Sequence, residues 1–567
     1  MPDKPKGEPY DEDGNGQQND LLDMEINQIS EIWRVLAAIP ILVAIYGAFR
    51  MYQVRSLFRD LQRRGFPMPP HDPIWGHLKI VGSIMRDLPP DLMPTIALGD
   101  FVRRKYPHLD QAFYLDQWPF SGPLLVVISP DGARQMTQGI QLAKDPGQHD
   151  VLKPLTGGYD MDTMEGEEWK FWHNAFSPGF RVSNIMALLP KMVPLVEIFC
   201  DRLRQQAQRS REPFLLSPMA LDLTMDLSSL SIWGHELSSQ TEYNDFADAL
   251  ASQLSWLHYW GSSLLKDMNF VRPIMHWYNS RRMNTYIDRV LAKPQNVSAD
   301  GKTSSTSILD LANLPKEQEY QRILPKVIQS QIKFMMLAGY DTTGSSIVFL
   351  IHLLSRHPEI LAKVRAEHDE VFGTDLEAAP RLIAAQPKLL NQLPYTTAVM
   401  KESLRFFPPA ATMRMGTPSF EILIDAPGGD GTARGLRLGL PTKGCKCTVV
   451  HHGVHHNPRF WREPHRFMPE RFLEGTVDSL RPPANGWRPF ERGPRACIGQ
   501  EMALTEIKLV CVMTAREFDF TPAYEEFYGP RTARKIDDDH VYLVSRGGAA
   551  NPSGCYPCRV SVRAPRG

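Results

Sequence analysis

The stretch Lys326–Arg356 reads as one helix: apolar side chains recur at helical spacing and no proline interrupts it. At 1.5 Å per residue it is about 45 Å long, enough to cross a whole domain. A rod of that length commits the rest of the chain to packing around it. Further helical patterns cover 185–208, 218–232, 243–266, 272–292, 359–371, 395–406 and 499–515. Strand-like pieces are short and few: 112–116, 124–128, 421–424, 446–450, 541–545 and 558–563. Helices and strands do not alternate regularly, so a doubly wound sheet is disfavoured and the expected class is mainly α with small β sheets.

The rod has a weak centre. In "FMMLAGYDTTGSS", Phe334–Ser346, Gly339, Asp341, Thr342, Thr343 and Gly344 stand where helix formers belong. Either this is a kinked core helix, or small and polar side chains are kept there for a chemical task.

A second constraint lies near the C-terminus, in "RPFERGPRACIGQEMALTEI", Arg488–Ile507. Cys497 stands alone ahead of an apolar stripe of Ile498, Met502, Ile507, Val510 and Met513. The free N–H groups and the partial positive charge of a helix start would both favour a thiolate, and Arg495, two residues away, is a fixed cation suited to a carboxylate partner. Gly493 permits a tight turn, and Gly499 lets the backbone approach something flat and large. Three chemistries suit such a cysteine: a hydrolase nucleophile, a buried structural thiol, or an axial ligand to iron. The chain's seven cysteines are odd in number and sparse over 567 residues, which favours reduced thiols over a disulfide framework. The net charge of -1 gives no sign of a nucleic-acid partner.

At the other end the composition changes abruptly. Residues 1–31 are polar and acidic; "VLAAIPILVAIYGAF", Val35–Phe49, carries no charge. Counted out to residues 32–52 it approaches the roughly 20 residues of a membrane span. Arg50, Arg55, Arg59, Arg63 and Arg64 follow it, so by the positive-inside rule the long C-terminal part is expected in the cytosol. The expected organisation is a polar lumenal segment 1–31, a transmembrane anchor 32–52, a basic and proline-rich hinge 53–74, and one catalytic domain 75–567. A polar loop is expected at Lys293–Ser307.

Phe490-x-x-Gly493-x-Arg495-x-Cys497-x-Gly499 resembles the haem-binding signature of the cytochrome P-450 family, in wording most similar to microsomal, filamentous-fungal members. Other motifs agree with it in order. "AGYDTT" resembles the family's oxygen-activation motif, which implies Ala338 and Gly339 beside the haem and Asp341 and Thr342 handling protons. Glu402 and Arg405 in "KESLR", with Arg471 in "FMPERF", resemble a buried Glu–Arg–Arg network; taken alone, the first two would be a solvated helix pair. "GEEWKFWHNAFSPGF" resembles the segment that holds a haem propionate through Trp169 and the residue four later. Here that residue is His173, where arginine is commoner. Arg414 matches another usual propionate partner.

The resemblance implies the cytochrome P-450 fold behind one N-terminal transmembrane helix, with haem b as cofactor. Cys497 would be its axial iron ligand, and Phe490, Gly493, Arg495 and Gly499 would complete its cradle. It implies a monooxygenase that puts one atom of O2 into a lipophilic organic substrate, as in fungal secondary metabolism. No flavin or nicotinamide fingerprint is present, so electrons would come from NADPH-cytochrome P-450 reductase, with cytochrome b5 as a further donor. Lys170, Arg488 and Arg492 would help dock that partner. The implied location is the endoplasmic reticulum membrane, single-pass, catalytic domain cytosolic. Substrate contacts are expected from 145–164, 254–278, 334–342 and 408–413. A P-450-fold isomerase or dehydratase and a non-catalytic haem-binding protein are the alternatives; neither demands both NADPH and O2. The run "HHGVHH", His451–His456, is read as surface or hydrogen-bonding histidines rather than a metal site, and Cys555-x-x-Cys558 as a loop feature.

Overall fold

A computed structural model describes residues 14–139, 142–209, 212–257, 269–292, 307–315, 323–425, 437–530, 532–546 and 548–563. The chain divides into two compact units, Met1–Gly65 and Phe66–Gly567.

In the first unit a single helix, Gly14–Arg63, runs through the expected anchor and continues past it. The hinge expected from residue 53 therefore begins only at Arg64. The physical reason is local: Gly65, Pro67, Pro69 and Pro70 are the first helix breakers after Gly47. Ile41, Leu42, Val43, Ile45, Tyr46 and Phe49 are each more than half exposed. Among the described residues the helices long and apolar enough to cross a membrane are two of the second unit, Val182–Gln208 and Leu324–Arg356. The latter is largely buried, as befits a core helix.

The second unit is built around the helix Leu324–Arg356, whose residues from Gly344 to Leu354 are all buried. Its weak centre is first of all a packing solution. A Cβ at Gly339 would lie 2.6 Å from the Ser228 hydroxyl, and one at Gly344 would lie 2.8 Å from Thr224 Oγ1. Both contacts come from the helix Leu216–Trp233, which the two glycines admit at close range. Thr224 Oγ1 also donates to the Tyr340 carbonyl at 2.8 Å. The helix Gln500–Ala515 follows the cysteine loop.

A four-stranded sheet flanks the helices, in the order Ala112–Leu115, Leu124–Val127, Lys446–Val449, Thr412–Met415. The middle pair is parallel and the outer pairings are antiparallel. Smaller sheets pair Leu543–Arg546 with Ala549–Pro552 and Glu421–Asp425 with Arg437–Pro441, and align Phe214–Leu215, Pro557–Val562 and Phe518–Pro522. The expected helix over 243–266 is shorter: it spans Asp245–Trp256, and Leu257 is already extended. Residues 258–268 and 293–306 lie outside the described residues, and with them the middle of the expected substrate segment 254–278 and all of the polar loop but Ser307.

Candidate active site

A cavity of about 1230 Å³ brings together most of the residues singled out from sequence. Leu337, Ala338, Gly339 and Thr342 enter its wall from the long helix, and Ala496, Cys497, Ile498 and Gly499 from the cysteine loop. Trp169 and His173, on the helix Gly166–Phe176, and the run Pro409–Arg414 complete much of the rest. Phe490 and Arg495 also line it. Of the expected substrate segments, 145–164, 334–342 and 408–413 contribute wall residues; from the described part of 254–278 only Arg272 does.

Cys497 is the only cysteine in that wall. Its N–H donates to the Phe490 carbonyl at 2.9 Å, which folds the loop into a turn. Gly493 adopts φ +97°, and a Cβ there would meet the Thr137 carbonyl oxygen at 2.2 Å, so no other residue fits. At Gly499 a Cβ would stand 3.8 Å from the Cys497 sulfur, on its cavity side rather than in protein. One sequence expectation is corrected: the surroundings do not by themselves make a thiolate. Burial pushes the Cys497 thiol up, the Gly499 N–H pulls it back, and Asp162 adds to the rise. The helix begins only at Gln500, so the cysteine lies short of its first turn.

Arg495 does not point at the cavity as a free cation. It donates to the Met164 and Asp162 carbonyls at 2.9 and 3.0 Å and lies 4.4 Å over the Trp169 ring. Arg414 is buried and has no carboxylate within 4.0 Å among the described residues. Burial pulls its pKa down; Asp162, Glu491 and Glu165 push it back. Lys144, which the sequence did not single out, adds a third cation, paired with Asp162. His173 sits with its ring centroid 4.9 Å from that of Trp169. Burial lowers its pKa, and Arg495 lowers it further against a bond to Asn174, so the imidazole is neutral at pH 7.

The structure separates Asp341 from Thr342. Thr342 faces the cavity, its hydroxyl donating to the Ala338 carbonyl at 2.7 Å. Asp341 is buried behind it and is not in the cavity wall. Its carboxylate accepts from the Gly548 and Ala549 N–H groups at 3.0 and 2.8 Å and from Asn551 Nδ2 at 3.1 Å. It thereby ties the long helix to the hairpin formed by Leu543–Arg546 and Ala549–Pro552.

Glu402, Arg405 and Arg471 meet in the interior with no exposed side-chain surface. Arg405 is bidentate on Glu402 at 2.8 and 2.9 Å, and Arg471 Nε reaches the same carboxylate at 3.3 Å. Arg405 also donates to the His455 and Pro464 carbonyls, both at 2.8 Å. His455 carries this network to the cysteine loop: its Nε2 accepts the Arg488 N–H at 3.0 Å while Nδ1 donates to the Arg405 carbonyl at 3.1 Å. That pattern requires the neutral ring. Burial, then His451 and Arg405, hold its pKa well below the usual histidine range. Of the "HHGVHH" histidines, His451, His455 and His456 are buried, not at the surface, and each makes a ring hydrogen bond, whereas His452 Nδ1 has no partner among the described residues. Arg488 is fully buried and paired with Glu491, which corrects its expected role: a side chain without surface cannot meet a docking partner. Lys170 and Arg492 are exposed.

These features agree with comparison against known proteins. Residues 115–527 match the family description Cytochrome P450. The chain is 40% identical over 544 residues to cytochrome P450 monooxygenase polC of Polytolypa hystricis, covering 93% of this chain and 95% of that one. It is 34% identical over 464 residues to cytochrome P450 monooxygenase acrF of Aspergillus aculeatus, covering 77% and 90%. Its fold matches the crystal structure of the cytochrome P450DA heme domain with a TM-score of 0.64 at 21% identity, over 88% of this chain and 97% of that one. The chain belongs to the cytochrome P450 family, and with that family goes a cysteine-ligated haem b. The cavity fits such a group. One thiol stands in its wall, small residues form part of the long-helix side, and buried cations, one without a carboxylate partner, await the two propionates.

Proposed function

We propose that this chain is a membrane-anchored haem-thiolate monooxygenase in which Cys497 ligates the iron and Thr342 governs protons at the oxygen site. The observation that carries the proposal is that the Cys497 sulfur and the Thr342 hydroxyl face one cavity from different elements of a P450 fold. The haem, when bound, supplies dioxygen binding and the O–O cleavage that sends one atom to substrate and the other to water.

The protein's own residues do the rest. Arg414 and Lys144 would hold the propionates, with Trp169 as an uncharged donor beside them and neutral His173 as a weaker one. Arg495 acts by fixing the 161–164 segment against the cysteine loop. Phe490, Gly493 and Gly499 shape the turn around the sulfur. Ala338 and Gly339 keep the long-helix wall low. With its hydrogen on the Ala338 carbonyl, the Thr342 oxygen accepts from a cavity water; rotation of the hydroxyl turns the donation inward. General acid work needs a donor within such reach. Asp341 is assigned chiefly to holding the long helix on the hairpin, because delivering a proton would require that hairpin to release it. Val151, Leu152, Met161, Ile232, Phe334 and Met413 give the cavity an apolar lining suited to a lipophilic substrate.

The full chain, reduced and exposed to carbon monoxide, is expected to show the red-shifted Soret band of a thiolate-ligated haem. With NADPH, its reductase and O2 it is expected to oxidise a lipophilic metabolite, at a rate that falls as salt rises if Lys170 and Arg492 steer docking. Product formed without NADPH or O2 would favour the isomerase reading and sink this one. In Thr342→Ala, product per NADPH consumed should drop by on the order of 10²-fold, with hydrogen peroxide released instead. Coupling at the wild-type level removes Thr342 from the proton route.

The exposed apolar run within Gly14–Arg63 supports a single span over 32–52, in the endoplasmic reticulum, with the arginine-rich side cytosolic. Removal of residues 1–65 is expected to shift the protein from the carbonate-washed membrane pellet toward the supernatant. An unchanged distribution argues that another surface holds the membrane.

A further inference from the structure

Glu491 belongs to the cysteine loop but to none of the motifs above. It stands between Phe490 and Gly493 with φ +58°, a left-handed backbone that a residue with a side chain adopts at a cost. What offsets that cost is visible at its carboxylate, which is buried and fully engaged. One oxygen accepts from Thr412 Oγ1 at 2.6 Å and from His451 Nε2 at 3.1 Å. The other accepts from Arg488 Nη2 and from the Arg492 N–H, the latter at 3.0 Å. The donors come from the sheet strand Thr412–Met415, the helix His451–His455 and the loop itself. Arg488 extends the cluster to a fourth element, donating at 2.5 Å to Thr137 Oγ1, on the same residue whose carbonyl forces glycine at 493. Burial pushes the Glu491 carboxyl up, but His451, Arg488 and Thr412 outweigh it and hold the pKa at about 2, so the group is an anion.

We propose that Glu491 is the positioning residue of the cysteine loop: its clamped carboxylate fixes the left-handed turn whose Phe490 carbonyl holds the Cys497 N–H, and so sets where the sulfur points. The link is short. Phe490 is the neighbour of Glu491, and the Phe490 carbonyl orients Cys497 at 2.9 Å. A change at Glu491 rotates the peptide between the two and moves that acceptor. Thr412 lies within the cavity-lining run Pro409–Arg414, so the clamp also keeps the cysteine loop in register with the substrate side of the cavity. A charge-assisted bond set of this kind gives rigidity because every acceptor site is filled.

This rests on Cys497 being the iron ligand, and the test keeps the two apart. The readout is the fraction of the carbon monoxide complex of full-length holoprotein that carries the red-shifted, thiolate-type Soret band, normalised to haem content. If Cys497 is not the ligand, either wild-type protein lacks the band or Cys497→Ala keeps it. If it is, Glu491→Ala should lower the fraction several-fold. Thr412→Val leaves the loop sequence intact and removes one bond of the clamp, so it should lower the fraction in the same direction, by less. Glu491→Gly relaxes the backbone but deletes the carboxylate. A lowered fraction there assigns the effect to the carboxylate, as proposed. Recovery to the wild-type value assigns it to backbone strain and overturns the proposal, as does a wild-type fraction in Glu491→Ala.

Discussion

Glu402→Ala is expected to accumulate largely as haem-free, thermally unstable protein. The reason is an imbalance of buried charge. In the native chain two guanidiniums share one carboxylate, and none of the three side chains has exposed surface. Glu402 also accepts the Met468 N–H at 2.9 Å. An exposed pair would be worth about 0–1 kcal/mol and its loss would pass unnoticed. Here removal of the anion strands Arg405 and Arg471 in the interior, with only carbonyls such as those of His455, Pro464 and Glu463 to solvate them. Breaking a buried pair in this way costs about 3–5 kcal/mol. Against a net stability of about 5–15 kcal/mol that is roughly a fifth of the whole or more. Arg471 Nη1 is already buried without a partner, so the cluster has no spare acceptor to offer. Glu402→Gln keeps the shape and one acceptor, and should fall between. Thermal unfolding and haem per polypeptide decide the matter: an alanine variant with wild-type melting and full haem would mean that the carboxylate is not what holds this side of the protein.

Three long helices of the second unit could be read from sequence to within three residues at their ends, because each carries an apolar periodicity that packing then exploits, whereas the longest helix, Gly14–Arg63, was expected only over 32–52 and the helix expected over 243–266 ends at Trp256. Leu324–Arg356 was expected at 326–356 and Gln500–Ala515 at 499–515. Strands fared worse where local propensity is poor. Ala549–Pro552 has the composition of a turn and exists because Leu543–Arg546 pairs with it. Thr412–Met415 follows a proline pair and is held by the neighbouring strand Lys446–Val449. Phe518–Pro522 was the exception: its Phe518 and Phe520 alternate with polar residues, a signal that was there to be used.

The same division runs through the site. Cys497, Thr342, Arg414 and the Glu402 network announced themselves by motif, and most of them share one cavity or one buried cluster. What could not be read was where a charged side chain spends its charge. Arg488 looks like a surface cation beside Arg492, yet Glu491 and Thr137 draw it inside. Asp341 looks like the natural proton relay for its neighbour, yet its acceptors are filled by N–H groups more than two hundred positions away. Glu491 carries no local pattern, because Thr412 and His451 lie 79 and 40 residues off. Lys144 becomes visible only once Asp162 folds against it. Pairings of this kind are set by topology, and a linear text does not contain them.

Cys497→Ala is expected to abolish oxygen insertion altogether, a larger loss than any other single change on the cavity wall. Other wall residues hold, orient or protonate, and each such contribution is graded. The sulfur has no substitute: the six other cysteines lie outside the wall, and of these Cys200, Cys445, Cys447, Cys511 and Cys558 are buried with thiols pushed well up by desolvation. The fold itself should survive. Cys497 stands in the cavity wall and belongs to neither packed hydrophobic cluster, so its truncation should cost less than the ~2–5 kcal/mol of a core residue. The loop also keeps its turn, since the Phe490 carbonyl bond involves only the main chain. The expected variant is therefore a folded protein that retains the secondary structure of the wild type, carries little or loosely held haem, lacks the red-shifted carbon monoxide band and yields no product with NADPH, reductase and O2. Circular dichroism alongside the carbon monoxide spectrum makes the distinction. A variant that keeps the thiolate-type band would show that another sulfur reaches the iron, and the cavity wall drawn here would have to be wrong.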